Sequence, residues 1–297
     1  MRVLVIDNPR SVAGADAELY EFVHLLAMAG AEVDVRPFDK YTPMEGLLRD
    51  AASFDRIVAG GGDGTTSAVA YELRGSGLPI LAYPAGTANL LPANLGLPRD
   101  PALLARLVLQ GATRTTDLGE MRADGRPDPM GFAVMAGAGF DANVMEGAAA
   151  NKATLGVGAY FLSVMGNLMP TVADFRIMLD GELLATDGIA VIVVNFAKIQ
   201  FDLSVTHDSD ATDGLLEVAV IRTRNVAGLI PAVWQAMLDR IVDLPQREGL
   251  EIHKARKISV EAEPPLPLQF DGEVAGVTTP FSAKVLPGAA TFLVPGN

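Results

Sequence analysis

The stretch RIVAGGGDGTT (Arg56–Thr66) places consecutive glycines, one aspartate and two hydroxyls behind a short apolar run. Glycine lets backbone N–H groups approach an oxyanion closely, and a helix starting at such a turn offers its unpaired N–H groups to anions. Phosphate is the ligand this spacing suggests, although consecutive glycines also suit an ordinary tight turn. Asp63 narrows the choice. A bare carboxylate repels a polyphosphate unless Mg²⁺ lies between them, or unless the carboxylate accepts hydrogen bonds from ribose or base. A metal–nucleotide complex therefore explains Asp63 best. No lysine follows, so the turn is not the G-x-x-x-x-G-K-[ST] phosphate loop.

Two other turns carry similar chemistry. YPAGTANLLPANLGLP (Tyr83–Pro98) offers a turn at Gly86, the Thr87 hydroxyl and the Asn89 amide. DNPRS (Asp7–Ser11) offers Asn8 and Ser11. Acids recur further on. QFDGE holds Asp271 and Glu273, and LDGEL repeats the same three letters at Asp180; an Asp-Gly pair is also a common hairpin turn, and local pattern does not choose between the two. HDSDATDGLLEV carries Asp208, Asp210, Asp213 and Glu217, either a solvated acidic loop or an oxygen-ligand metal site without EF-hand spacing. GAGFDA (Gly137–Ala142) imitates a dinucleotide fingerprint, but no acid follows on a second strand at the required distance.

These residues need a scaffold. RVLVID, EVDVRPF, DRIVAG and LPILAYP read as strands. Between them, Leu19, Phe22, Val23 and Leu26 recur at helical spacing over about Asp16–Ala29, EGLLRDAA reads as a short helix, and Thr65–Arg74 as another. Strand–helix alternation predicts a parallel sheet with helices on both faces, and ligands bind such sheets outside the carboxyl ends of the strands. The three polar turns all follow strands, so they are expected to converge. Near Asp117 the pattern changes to apolar runs broken by Gly, Asp and Pro. The fold class expected is an α/β N-terminal domain followed by a β-rich sandwich. The first domain spans residues 1–117, to which a tail near 288–297 can return, and the second spans 118–287. Helices are expected over about Lys152–Leu168 and Val226–Arg240.

Composition excludes several classes. The formal net charge of −13 opposes nucleic-acid binding and a polybasic membrane anchor. With no cysteine there is no disulfide or thiolate metal site, and a reducing, cytoplasmic setting is expected. The start MRVLVIDNPRS lacks the apolar segment of a signal peptide. Ala153–Ala173 is uncharged over 21 residues, but its glycines, Asn167 and Pro170 suit a packed helix or an apolar substrate entrance better than a span.

Six motifs in order resemble those of the bacterial diacylglycerol kinase-like lipid kinases, within the superfamily that includes sphingosine kinases and NAD kinases. They are DNPRS, GGDGT, PAGTANLLPANLGLP, AGAGFDANV, ATDGLLEV and PPLPLQFDGE. The resemblance implies ATP as phosphoryl donor, with an active site between the two domains. It implies nucleotide contacts from Asn8, Ser11, Gly61, Gly62, Asp63, Gly64, Thr65, Thr87 and Asn89. It implies Asp271 as base, with Glu273 supporting it and Asp63 also in the catalytic set. It further implies a structural Mg²⁺ held by Asp213, the carbonyl of Leu215 and Asp210. The acceptor would be a lipid hydroxyl at a membrane surface, reached by a peripheral protein; a homodimer is left open.

Departures from the family's pattern lie at Ser67 and Ala68, at Leu90, and at Val12, and a glycine-rich loop expected after VVNF is replaced by AKIQFDLSVTH. The competing functions are a non-catalytic nucleotide- or lipid-binding regulator and a kinase of the NAD kinase type acting on a soluble substrate.

Overall fold

The computed structural model describes residues 1–9, 15–39, 41–139, 171–196, 198–200, 203–204, 210–222 and 249–296. These divide into two compact units, Met1–Leu118 with Leu286–Asn297, and Gly119–Val285.

The first unit runs β1 (Arg2–Asp7), α1 (Ala15–Met28), β2 (Glu32–Pro37), α2 (Met44–Leu48), a 3₁₀ turn (Ala51–Ser53), β3 (Arg56–Gly61), α3 (Asp63–Glu72), β4 (Pro79–Pro84), α4 (Leu90–Asn94) and α5 (Pro101–Gln110). Its strands lie parallel in the order β2-β1-β3-β4. Val3, Val5, Val58 and Leu81 pack in one core with Leu19, Phe22 and Leu26 of α1 and Leu104 and Val108 of α5. The alternate residues Leu4, Ile6, Ile57 and Ile80 are equally buried, so the sheet is covered on both faces, as parallel sheets require. Local signals set the ends of α5. The Asp100 side chain accepts from Leu103 N–H, Pro101 takes the first helical position and Gly111 ends the helix.

The second unit is all strand among its described residues. β5 (Ala112–Ala123) leads into it, followed by β6 (Met130–Phe132), β7 (Met135–Ala138), β8 (Ala173–Leu179), β9 (Glu182–Gly188), β10 (Ala190–Val194), β11 (Lys198–Gln200), β12 (Leu203–Ser204), β13 (Leu216–Ile221), β14 (Leu250–Ala255), β15 (Lys257–Glu263), β16 (Pro267–Phe270), β17 (Glu273–Thr278) and β18 (Phe281–Val294). One antiparallel sheet runs β14-β13-β10-β7-β16-β17, and in the other β15 lies between β8 and the start of β18, with β9 beside β8. Phe132, Phe175, Ile177, Val191, Val218, Leu268 and Phe281 share one core between these sheets. This is the antiparallel sandwich the alternating runs predict. The end of β18 belongs to the first unit, where Thr291 and Phe292 pair in parallel with Pro79 and Ile80 of β4.

The sequence pattern missed α4 and α5, and it began α3 two residues late, because Asp63 and Gly64 read as turn residues. The helices expected over Lys152–Leu168 and Val226–Arg240 lie outside the described residues.

Candidate active site

In the first unit, β3 ends at Gly61 and α3 begins at Asp63. Close packing demands the glycines here. A Cβ on Gly61 would lie 2.6 Å from the Thr65 side chain, and a Cβ on Gly86 would lie 2.4 Å from the Cα of Gly62. The turns after β3 and β4 therefore touch backbone to backbone. Asn8, just past β1, donates from Nδ2 to Thr65 Oγ1 at 2.9 Å, while its N–H reaches Gly60 O at 2.8 Å. All three strand-end turns are thus bound to one another. N–H groups in the first turn of α3 have no intrahelical acceptor, the general arrangement in which a helix start can receive an anion.

Asp63 occupies that first turn and is buried. Its Oδ1 accepts from Leu91 N–H at 2.8 Å and its Oδ2 from Leu90 N–H at 3.0 Å, so it caps the start of α4 across 28 residues of sequence. Burial pushes its carboxyl above the ordinary aspartate value, against the opposing pull of the Leu91 and Leu90 N–H groups. A carboxylate has about four acceptor positions, so these bonds do not use up its acceptor capacity. Asn89 folds its own loop. In left-handed conformation (φ 51°), it accepts from Gly86 N–H at 2.8 Å and donates to Gly86 O at 2.7 Å. Thr87 is exposed at the tip of that loop. Ser11 and Asp141 lie outside the described residues.

In the second unit, Asp271 and Gly272 (φ 43° and 83°) form the two-residue turn joining β16 to β17. Asp271 is buried, and its carboxylate accepts three backbone N–H groups, from Ala133 at 2.7 Å and from Val134 and Met135 at 2.9 Å each. Its own N–H reaches Met135 O at 2.8 Å. From another segment, Asn195 donates its Nδ2 to Ala133 O at 2.8 Å, and the N–H groups of Asn195 and Phe196 take Val134 O. Every backbone donor and acceptor of residues 133–135 is therefore satisfied from these two sources. Asn195 was not foreseen as a site residue. Its only sequence signal is an amide closing the apolar run IAVIVV.

Glu273 opens β17 two residues later. Crowding by protein around its carboxyl pushes its pKa up, with Arg126 pulling the other way, although the residue reaches solvent. The competing D-G-E is a surface hairpin: Asp180 and Gly181 (φ 51° and 98°) join β8 to β9, and the exposed Asp180 carboxylate accepts from Arg256 and Lys257 N–H. Those two N–H groups hold its carboxyl below the ordinary value.

The acidic loop takes a different form. Asp210 Oδ1 accepts from Thr212 N–H at 3.0 Å and from its hydroxyl at 2.6 Å. Asp213 Oδ1 accepts from Leu215 N–H at 2.9 Å, and Lys254 Nζ lies 3.3 Å from Asp213 Oδ2 and 3.5 Å from Glu217 Oε1. Burial pulls Lys254 down, but its hydrogen bond to Asp213 and the charges of Glu217 and Asp213 together raise it. Among the described residues no group of three or more acidic or histidine side chains is spaced to hold a metal ion.

Comparison with known proteins agrees with this anatomy. Residues 2–121 match the diacylglycerol kinase catalytic domain, and residues 134–294 match the YegS C-terminal NAD kinase beta sandwich-like domain. This chain belongs to the bacterial diacylglycerol kinase-like family of lipid kinases. Among relatives within or near this lipid kinase family, a Stenotrophomonas maltophilia protein named probable lipid kinase YegS-like is 30% identical over 305 residues, covering 96% of this chain and 94% of that one. A Mycobacterium tuberculosis diacylglycerol kinase is 27% identical over 248 residues, covering 82% of this chain and 78% of that one. An uncharacterized Synechocystis protein is 28% identical over 243 residues, but the match spans only 54% of its length. A crystal structure of a diacylglycerol kinase from Bacillus anthracis superposes with a TM-score of 0.77 at 23% identity, covering 99% of this chain and 96% of that one, a likeness of fold.

Proposed function

We propose that this chain transfers the γ-phosphoryl group of ATP to a hydroxyl of diacylglycerol or of a related sphingoid or ceramide-type lipid. The observation that carries the reading is the joining of three strand-end turns in the first unit through Asn8–Thr65, Gly62–Gly86 and Asp63–Leu91. That junction supports a nucleotide site built from the first-turn N–H groups of α3, with Asn8, Thr65 and Thr87 beside them. Mg²⁺ carried by the polyphosphate would neutralise charge on the transferring group, and Asp63 is the carboxylate proposed to face it.

In the reaction the acceptor oxygen bonds to the γ-phosphorus, the bond from phosphorus to the ADP oxygen breaks, and the hydroxyl proton passes to a carboxylate. Two carboxylates of the second unit are candidates. Asp271 already has its carboxylate engaged by three backbone N–H groups that hold the Ala133–Met135 segment, a structural task. Glu273, raised by its surroundings, is the better one. We therefore assign proton acceptance to Glu273 and the positioning of its hairpin to Asp271. No described helix is long and apolar enough to cross a membrane, and the lipid is proposed to be met at a membrane surface.

Incubation with labelled ATP, Mg²⁺ and a panel of diacylglycerols, monoacylglycerols, sphingoid bases, ceramides and polyprenols tests this. One lipid class takes up label, and Glu273→Gln sharply slows the uptake while ATP still binds. If every lipid stays unlabelled although ATP binds, the protein is a nucleotide-binding regulator. That second reading draws on the departure from the family's pattern at Leu90 and on the engagement of Asp63 by α4.

A further inference from the structure

Glu217 is buried in β13, and its cross-strand partner in β14 is Lys254. A buried carboxylate needs a cation close by. The Lys254 ammonium meets that need, and it reaches Asp213 as well, at 3.5 Å and 3.3 Å respectively. The two carboxylates that the family resemblance assigns to Mg²⁺, Asp213 and Asp210, are engaged from within the protein. Asp213 Oδ1 is taken by Leu215 N–H, Asp210 Oδ1 by Thr212, and Asp210 O by Asp213 N–H. A divalent ion on Asp213 would stand beside an ammonium already bound to the same carboxylate, and like charges at that separation repel strongly near a partly buried site.

We propose that the Lys254 ammonium is the structural cation of this loop, so that the second unit of this chain needs no divalent ion there. It bridges the loop at Asp213 to β13 and β14, the task a bound metal would otherwise perform. The inference concerns loop architecture and stands whether or not the protein proves to be a lipid kinase.

The test uses nucleotide-free protein. Its Tm is the same in EDTA as in MgCl₂ at matched ionic strength, and Mn²⁺ titration followed by electron paramagnetic resonance finds no site that Asp213→Asn removes. Lys254→Met lowers Tm by about 4–8 °C, and Lys254→Arg recovers most of the loss. Should Lys254→Met fail to fold, the triple variant Lys254→Met/Asp213→Asn/Glu217→Gln, which removes the partner charges together with the ammonium, folds. A saturable rise of Tm with Mg²⁺ that Asp213→Asn abolishes overturns the proposal. So does a Lys254→Met protein that melts with the wild type, or a triple variant that stays unfolded where the single one does.

Discussion

Asp63 and Leu91 meet across 28 residues of sequence, carboxylate Oδ1 to backbone N–H at 2.8 Å, and this bond ties the glycine turn to the first turn of α4. Its loss leaves two N–H groups of α4 without that acceptor. Asp63→Ala is expected to cost about 1–3 kcal/mol of stability and to weaken ATP binding with it. Thermal denaturation and calorimetric titration with Mg·ATP read both. A variant that loses ATP affinity at unchanged Tm would show that the aspartate serves the nucleotide alone.

Gly86 and Gly62 are expected to behave unequally. A Cβ at Gly86 meets Gly62 Cα at 2.4 Å, whereas a Cβ at Gly62 finds its nearest neighbour at 3.7 Å. Gly86→Ala forces the two turns apart and costs about 1–3 kcal/mol. Gly62→Ala leaves the fold intact. If phosphate lies against the Gly62 backbone, as proposed, Gly62→Ala lowers ATP affinity at wild-type Tm.

Asp271 and Glu273 separate stability from catalysis. Asp271→Asn puts an amide donor where a carboxylate accepted N–H bonds, so stability falls by about 2–4 kcal/mol and activity falls with it. Glu273→Gln reduces kcat by about 10²–10⁴-fold and leaves Tm no lower than wild type. The sign of the pH dependence follows from the raised Glu273 pKa. Just above the ordinary glutamate range, the folded chain keeps a proton that the unfolded chain has released, so stability declines as pH rises through that window. Denaturation midpoints measured from acid to neutral pH should show this slope flattened in Glu273→Gln. Asp63, also raised, adds a slope of the same sign.

Asn195 and Asp271 hold the same short segment, residues 133–135, from opposite sides of one network, so their removals should not add. Asn195→Ala alone costs about 1–3 kcal/mol. In a double-mutant cycle with Asp271→Asn, a coupling of about 0.5–3 kcal/mol is expected, and strict additivity would mean that the strap does not act as one unit.

Strand periodicity, the two-domain pattern and the polar turns after the first, third and fourth strands were all legible in the residues, because side-chain alternation and turn chemistry are local. The two D-G-E stretches show where locality ends. Asp180 and Asp271 both take left-handed backbone in two-residue hairpins, and both carboxylates accept backbone N–H groups. Only packing distinguishes them: Asp271 is buried under the Ala133–Met135 strap, whereas Asp180 lies exposed at a sheet edge. Lys254 makes the same point. Nothing near HKARK marks it as a partner of Asp213 and Glu217, since strand register across 37 residues brings it there. The sequence by itself determined which backbone turns form and which residue types stand in them. The tertiary structure decided which carboxylates are capped, paired or raised, because burial and long-range hydrogen bonds exist only once the strands have found their neighbours.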